Sequence, residues 1–290
     1  MSDFVILTDS SADLTAEMAA QLQVAVLPLS FTLRDQIYYN YPDNREMDPK
    51  AFYDLLRRGE TATTSAINVS QYTEVLEPLL QAGKDVLILA FSSGLSTTYN
   101  SGVIAADDLR EHYPERKVYV VDTLCASLGQ GLLVWLAAGE RSRGRTIEEV
   151  RDWAELNKLN LCHQFTVDDL HFLKRGGRIS ATTAVVGSML QIKPVLHVDN
   201  EGHLVNIAKA RGRSAALKAL VDRMEQTAVA PREQTVFISH GDCLEDAQEL
   251  ARMIRERMGT QDFVFNHVGP VIGAHAGPGT VALFYLGTER

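Results

Sequence analysis

The chain lacks paired cysteines, a basic excess and any long hydrophobic run. Its three cysteines, Cys125, Cys162 and Cys243, stand far apart and are odd in number. No CxxC pair occurs, so neither a disulfide framework nor a cysteine zinc site is supported. Lys and Arg total 28 against 37 Asp and Glu, a net charge of −9. That excludes the basic excess of a dedicated nucleic-acid binder and opposes adhesion to an anionic membrane. The longest uncharged stretch, Thr123 to Gly139, carries Ser127, Gln130 and three glycines. It is too short and too polar for stable membrane insertion. The N-terminus, MSDFVILTDSS, enters a strand-like run with no basic region and long apolar region before it. No signal peptide is read there, and a cytoplasmic protein is expected. Neither GxxxxGK[ST] nor HExxH occurs, and the eight histidines are scattered. No metal and no cofactor are therefore expected. Gly129-Gln130-Gly131 starts a dinucleotide-like fingerprint, but Val134 takes the place of its third glycine. Tight helix packing is the better explanation.

What is present is a globular composition: 46% hydrophobic and 22% charged over 290 residues. A chain of that length buries a large core and divides into about two domains. FVILTDS, VAVLPLSFTL, DVLILAFS and KVYVVDT read as strands. Amphipathic helices follow them, in DLTAEMAAQL, DPKAFYDLLRRG, SQYTEVLEPLLQAG, STTYNSGVIAADDLREHYP and LGQGLLVWLAAG. Val-, Ile- and Leu-rich strands alternating with helices predict an α/β domain on a parallel sheet. The polar helix TIEEVRDWAELNKLNL connects it to a second pattern. There, KPVLHVDNEGHLVNIAKA reads as a hairpin about Asp199-Asn200-Glu201-Gly202. TVFISH, FVFNHVGP and TVALFYLG follow as strands, with helices RSAALKALVDRMEQ and CLEDAQELARMIRERM between. The expected division is 1–160, α/β, and 161–290, α+β with antiparallel strands.

Three segments carry chemistry. Ser92-Ser93-Gly94-Leu95-Ser96-Thr97-Thr98-Tyr99 follows a strand and opens a helix. Ligands of open parallel sheets bind beyond the carboxyl ends of the strands, and a helix start offers free N–H groups and positive potential. One hydroxyl suffices for a cap; Ser92, Ser93, Ser96, Thr97 and Thr98 are more than capping requires and suggest an anion site. Thr8-Asp9-Ser10-Ser11 and Thr63-Thr64-Ser65 repeat the theme, so three hydroxyl clusters are able to face one sheet edge. Asp9 either orients a hydroxyl or caps a turn. In Val268 to Gly279, four glycines and two prolines surround His275. A loop this constrained fixes its imidazole, as a ligand or as a structural histidine. In Phe172 to Ser180, Gly176 and Gly177 end a short helix, and Arg178 pairs with an acid or caps carbonyls. Residues 181–190, ATTAVVGSML, read as a small apolar helix that lines a cavity or fills the core.

Taken together, TDSS at 8–11, SSGLSTTYNS at 92–101, FLKRGGRIS at 172–180, KP at 193–194 and GPVIGAHAGPG at 269–279 resemble the DegV family. They run in family order over nearly the whole chain. The characterised members are fatty-acid-binding proteins of the FakB type, not enzymes. The resemblance implies a long-chain fatty acid between two domains, its chain in an apolar tunnel and its carboxylate on hydroxyls and a histidine. The family's ligand positions fall on Thr64, Ser96 and His275, with Ser65, Ser93, Thr97 and Arg178 as secondary candidates. Lys209-Ala210-Arg211-Gly212-Arg213 matches the segment that presents an arginine, here Arg211, to a partner fatty acid kinase. That kinase phosphorylates the bound acid to an acyl-phosphate. The sequence departs from the family at Thr97, where a glycine is usual, at Thr64-Ser65-Ala66-Ile67 in place of TSQP, and at Ala276.

A chain of about 14 methylenes offers roughly 11 kcal/mol on burial, before ordering costs. A buried carboxylate still needs donors, and two hydroxyls with an imidazole N–H supply them without a strong ion pair. The rival class is a serine hydrolase. Gly94-Leu95-Ser96-Thr97-Thr98 is one residue short of GxSxG, with His275 and either Asp9 or Asp122 to complete a triad. Thr98 in place of the second glycine crowds such an elbow, and no HGGG-like segment is present. A regulatory or scaffold protein with an incidental lipid site is a third reading.

Overall fold

Short runs of β-branched and aliphatic residues, separated by amphipathic helices, order the described residues into three sheets. The computed structural model describes residues 4–180 and 191–290. The strands are β1 (Phe4–Asp9), β2 (Val24–Leu27), β3 (Ser30–Leu33), β4 (Gln36–Tyr39), β5 (Ala62–Ser65), β6 (Asp85–Ala90) and β7 (Val118–Asp122). Then come β8 (Leu161–Thr166), β9 (Ile192–Val198), β10 (Leu204–Arg211), β11 (Val236–His240), β12 (Phe263–His267) and β13 (Val281–Leu286). Helices are α1 (Ala16–Gln21), α2 (Pro49–Arg57), α3 (Val69–Gln81), α4 (Thr98–His112), α5 (Leu128–Ser142) and α6 (Ile147–Asn157). After them lie α7 (Leu170–Arg175), α8 (Arg213–Thr227), α9 (Leu244–Met258) and α10 (Pro270–Ala276). The apolar segment 181–190 lies outside the described residues.

The first sheet is parallel, in the order β2-β1-β6-β7, as the βα alternation predicts. A small antiparallel sheet, β4-β3-β5, lies beside it. The third is mixed, in the order β10-β9-β8-β13-β11-β12, with β11 and β12 parallel and the other pairs antiparallel. The fold is thus mixed α/β, with the parallel sheet first and the mostly antiparallel one after it. Capping boxes at Asn68/Gln71 and Thr146/Glu149 fix the starts of α3 and α6, each satisfying two helix-end donors.

Five elements differ from the sequence reading, two of them the unread strands β4 and β5, the latter holding Thr63-Thr64-Ser65 in the small antiparallel sheet rather than at the edge of the parallel one. VAVLPLSFTL is two strands in two sheets, because Pro28 lacks the N–H that a continuous ladder needs. Leu161, read as the end of the connecting helix, and CHQFT, read as no element, form the wholly buried strand β8. Around His275 the chain is a helix, not a loop: Gly269 caps it and Pro270 occupies its first turn, where a missing N–H costs nothing.

Helix α5 lies between the first and third sheets. Its Leu128, Leu132, Leu133, Val134 and Ala137 share one core with Ile6 and Leu89 on one side and Phe237 and Phe284 on the other. The glycines of Gly129-Gln130-Gly131 serve this packing. A Cβ on Gly129 would fall 2.1 Å from His163 Nε2, and one on Gly131 2.6 Å from the Ala12 carbonyl.

Candidate functional site

Beyond the carboxyl edge of the parallel sheet lies a cavity of about 370 Å³, within the range of small-molecule sites. After β6 come Phe91, Leu95 and Ser96; after β7, Ala126 and Ser127. The facing wall is the inner side of the third sheet: Phe165 from β8, Val198 and Leu204 from the hairpin, Ala282 and Phe284 from β13. Helix α10 closes the side with Val271, Ile272 and His275, and β5 contributes Thr64 and Ser65. Most of this lining is apolar. Every ligand candidate named from the sequence faces the same space: Thr64, Ser65, Ser93, Ser96, Thr97, Arg178 and His275. Ser65, Ser93 and Thr97 are exposed and form its rim, while Thr64, Ser96, Arg178 and His275 are half-buried. Arg211 is not part of the lining; it is exposed at the end of β10.

The polar end is assembled from distant segments. Thr64 Oγ1 lies 2.7 Å from His275 Nε2. The other ring nitrogen, Nδ1, is buried without a hydrogen-bond partner and faces Gly176, where a Cβ would come within 2.0 Å of it. Burial drives the His275 pKa down to about 4, and the nearby cations Arg178 and Arg175 push the same way. The imidazole is neutral at pH 7. Arg178 donates to the Gly176 carbonyl, and burial lowers its own pKa. Ser96 Oγ accepts from the Thr98 N–H at 3.2 Å and shares a 2.9 Å bond with Thr98 Oγ1. Thr98, fully buried, is a support for Ser96 rather than an obstacle in an elbow. The surplus of hydroxyls in that segment was its one signal.

Thr8-Asp9-Ser10-Ser11 does not join the site. Thr8 Oγ1 donates to the Leu89 carbonyl at 2.7 Å, and Ser10 Oγ accepts from the Leu29 N–H at 2.9 Å. Asp9 accepts from the N–H groups of Ser11 at 3.0 Å and Phe91 at 2.8 Å. These groups tie β1 to β6 and to the start of β3, and they are consumed by doing so. A hydrolytic triad is not assembled either. Asp122 Oδ1 accepts from the N–H groups of Ser93 and Leu124, both at 3.1 Å, and the His275 ring is engaged with Thr64.

Behind the cavity wall is a second polar group that the sequence did not reveal. Asp13 Oδ2 accepts from the Ser127 hydroxyl at 2.5 Å, and Oδ1 from the Gly269 N–H at 3.0 Å. Ser239 Oγ lies 2.9 Å from Ser127 Oγ. Burial raises the Asp13 pKa to about 7, although both donors oppose it. The network joins the start of α5, β11 and the start of α10.

Among the described residues, no cluster of His, Cys, Asp and Glu is arranged to hold a metal ion, and no helix is long and apolar enough to cross a membrane. Fold and site together give an apolar cavity with a small, mostly neutral polar end. The chain belongs to the DegV family. Residues 3–288 match the family model described as "Uncharacterised protein, DegV family". A DegV domain-containing protein of Clostridium perfringens is 48% identical, covering 100% of this chain and 99% of its own. The DegV-family fatty-acid-binding protein of Thermus thermophilus superposes with TM-score 0.84 at 30% identity, covering 98% of this chain and 99% of its own. DegV of Bacillus subtilis, described as a fatty acid binding protein, gives TM-score 0.84 at 28% identity, with coverages of 99% and 100%.

Proposed function

We propose that this chain binds a long-chain fatty acid, with the acyl chain in the cavity and the carboxylate on Thr64 and Ser96 beside His275. One observation carries the reading: a largely apolar cavity has, in its wall, the hydroxyls of Thr64 and Ser96 and a neutral imidazole. A carboxylate accepts from such groups, and an acyl chain fills the remaining volume. The family's fatty-acid-binding members support the same ligand. The reading extends to a cytoplasmic carrier that presents the acid to a partner fatty acid kinase, with exposed Arg211 as the contact. It also treats residues 1–160 and 161–290 as two domains with the ligand between them.

Lipid extraction and native mass spectrometry of the purified protein test the ligand class, and a long-chain fatty acid is the expected mass. Thr64→Ala, Ser96→Ala and His275→Ala should each weaken binding after delipidation. Unchanged affinity in all three would refute the head-group assignment. Labelling of Ser96 by a fluorophosphonate would favour the hydrolase instead.

A further inference from the structure

Two hydroxyls in the cavity wall each sit at the end of a hydrogen-bond chain, and the chains fix where their protons point. In the first, the Ile67 N–H donates to Thr98 Oγ1 at 3.3 Å, and the Thr98 N–H donates to Ser96 Oγ at 3.2 Å. Each oxygen therefore already accepts one backbone proton. The 2.9 Å bond between the two oxygens uses one hydroxyl proton, and the other hydroxyl is left to find an acceptor. If Ser96 were the donor, the spare O–H would belong to Thr98, which is fully buried and is not part of the cavity lining. An orphaned donor there is costly. With Thr98 as the donor, the spare O–H belongs to Ser96, which lines the cavity.

The second chain obeys the same logic. His275 is neutral, so one ring nitrogen carries hydrogen. Hydrogen on Nδ1 would be a buried N–H without an acceptor, the rarest kind of unpaired group. Hydrogen on Nε2 donates to Thr64 Oγ1 across 2.7 Å. Thr64 then turns its own hydroxyl proton outward, as Ser96 does.

We propose that the two chains Ile67–Thr98–Ser96 and His275–Thr64 make the polar end donor-only, so that it selects an ionised, acceptor-only head group, with Thr98 as the residue that positions the Ser96 proton. This rests on the fatty-acid reading above and adds a rule to it. A carboxylate accepts from both hydroxyls. A fatty alcohol of equal length brings a proton of its own, and its single oxygen satisfies fewer of the outward donors.

The test compares hexadecanoic acid with hexadecan-1-ol, each measured against delipidated protein by calorimetry. Wild type should prefer the acid. Thr98→Val keeps the volume and removes the hydroxyl. It should lower acid affinity about tenfold and leave alcohol affinity within about twofold, and Thr98→Ser should restore the preference. Equal losses for both ligands, or an unchanged acid-to-alcohol ratio, would overturn the proposal while leaving the fatty-acid reading intact. Failure of wild type to bind the acid at all would overturn both. A second measurement needs no variant: the carboxyl group of bound hexadecanoic acid, followed through its ¹³C-labelled carbon, should titrate below the ordinary glutamate-like value of about 4.3. Titration at or above that value would contradict a donor-only site.

Discussion

The sharpest perturbation of the site is one methyl group on Gly176. Its backbone has φ −73° and ψ −5°, a conformation alanine adopts without strain. Conformational freedom is therefore not why glycine stands here. The reason is proximity: a Cβ would lie 2.0 Å from His275 Nδ1, far inside van der Waals contact. In Gly176→Ala the imidazole must move, and the 2.7 Å bond to Thr64 Oγ1 goes with it. The Gly176 carbonyl, which receives Arg178, is untouched. A hydrogen bond to a charged group contributes about 1.5–3 kcal/mol, so losing the oriented Thr64 proton should weaken fatty-acid binding roughly 10- to 150-fold. The assay is competition with a fluorescent fatty acid on delipidated protein, run as a double-mutant cycle with His275→Ala. Gly176→Ala should be costly in the wild-type background and nearly silent once His275 is alanine. Wild-type affinity in the single variant, or equal costs in both backgrounds, would refute the argument that Gly176 exists to seat His275.

Two further substitutions probe how the cavity walls are held. Asp13 titrates near 7 in the fold against 3.8 for a free carboxylate, so the native state retains a proton that the unfolded chain releases. That stabilising contribution is present below about pH 4 and is lost as pH rises towards and through 7. Asp13→Asn cannot ionise, and denaturant titrations should show its stability rising relative to wild type by up to roughly 2–3 kcal/mol between pH 5 and pH 8; a pH-independent difference would show that Asp13 is not charged at a cost. Gly202, in the hairpin turn, has φ +79° and leaves no room, since a Cβ would sit 2.1 Å from Ser92 Oγ. Gly202→Ala should break the 3.0 Å bond from Ser92 Oγ to the Gly202 carbonyl and cost about 1–3 kcal/mol. Because Val198 and Leu204 flank that turn and line the cavity, bound fatty acid should also dissociate faster in stopped-flow displacement, and unchanged stability with unchanged dissociation would count against the turn as a fastening.

Local pattern reveals the parallel sheet because its strands bury both faces and read as unbroken aliphatic runs, of which Asp85–Ala90 is the plainest. The same rule hides β8. Its wholly buried side chains include His163, Gln164 and Thr166, so the run looks neither apolar nor alternating. Helix α10 is concealed by composition, since glycine and proline suggest a loop until Pro270 is seen to occupy the first turn. Thr64 and His275 are separated by 211 positions, and no local periodicity encodes such a meeting. Hydroxyl surplus marks Ser96 and Thr64, and the constrained loop marks His275, but only the family resemblance groups the three as one ligand set. The Thr8–Ser11 cluster shows the opposite failure: a hydroxyl-rich turn at a strand end serves the backbone, and the sequence has no mark that separates it from Ser92–Thr98.

The cavity's deeper polar groups make no demand on a ligand. His163 Nδ1 donates to the Leu161 carbonyl at 2.9 Å, and its Nε2 accepts from the Ala126 N–H at 3.4 Å. Thr280 Oγ1 is engaged with the Ala276 and Gly277 carbonyls, and Ser127 with Asp13. The wall beyond the polar end therefore behaves as an apolar surface, against which each buried methylene contributes about 0.8 kcal/mol. Two methylenes then match one head-group hydrogen bond of about 1.5 kcal/mol. On the proposed reading, affinity is governed mainly by how much chain the cavity accepts, and the proposed donor-only end decides which way round the molecule sits. A head-group variant should consequently bind a fatty acid one or two decades more weakly, yet recover most of that loss with an acid two to four carbons longer, provided the added carbons still fit the cavity. If lengthening the chain leaves the affinity of Ser96→Ala unchanged while shortening it does too, the apolar wall is not what holds the ligand.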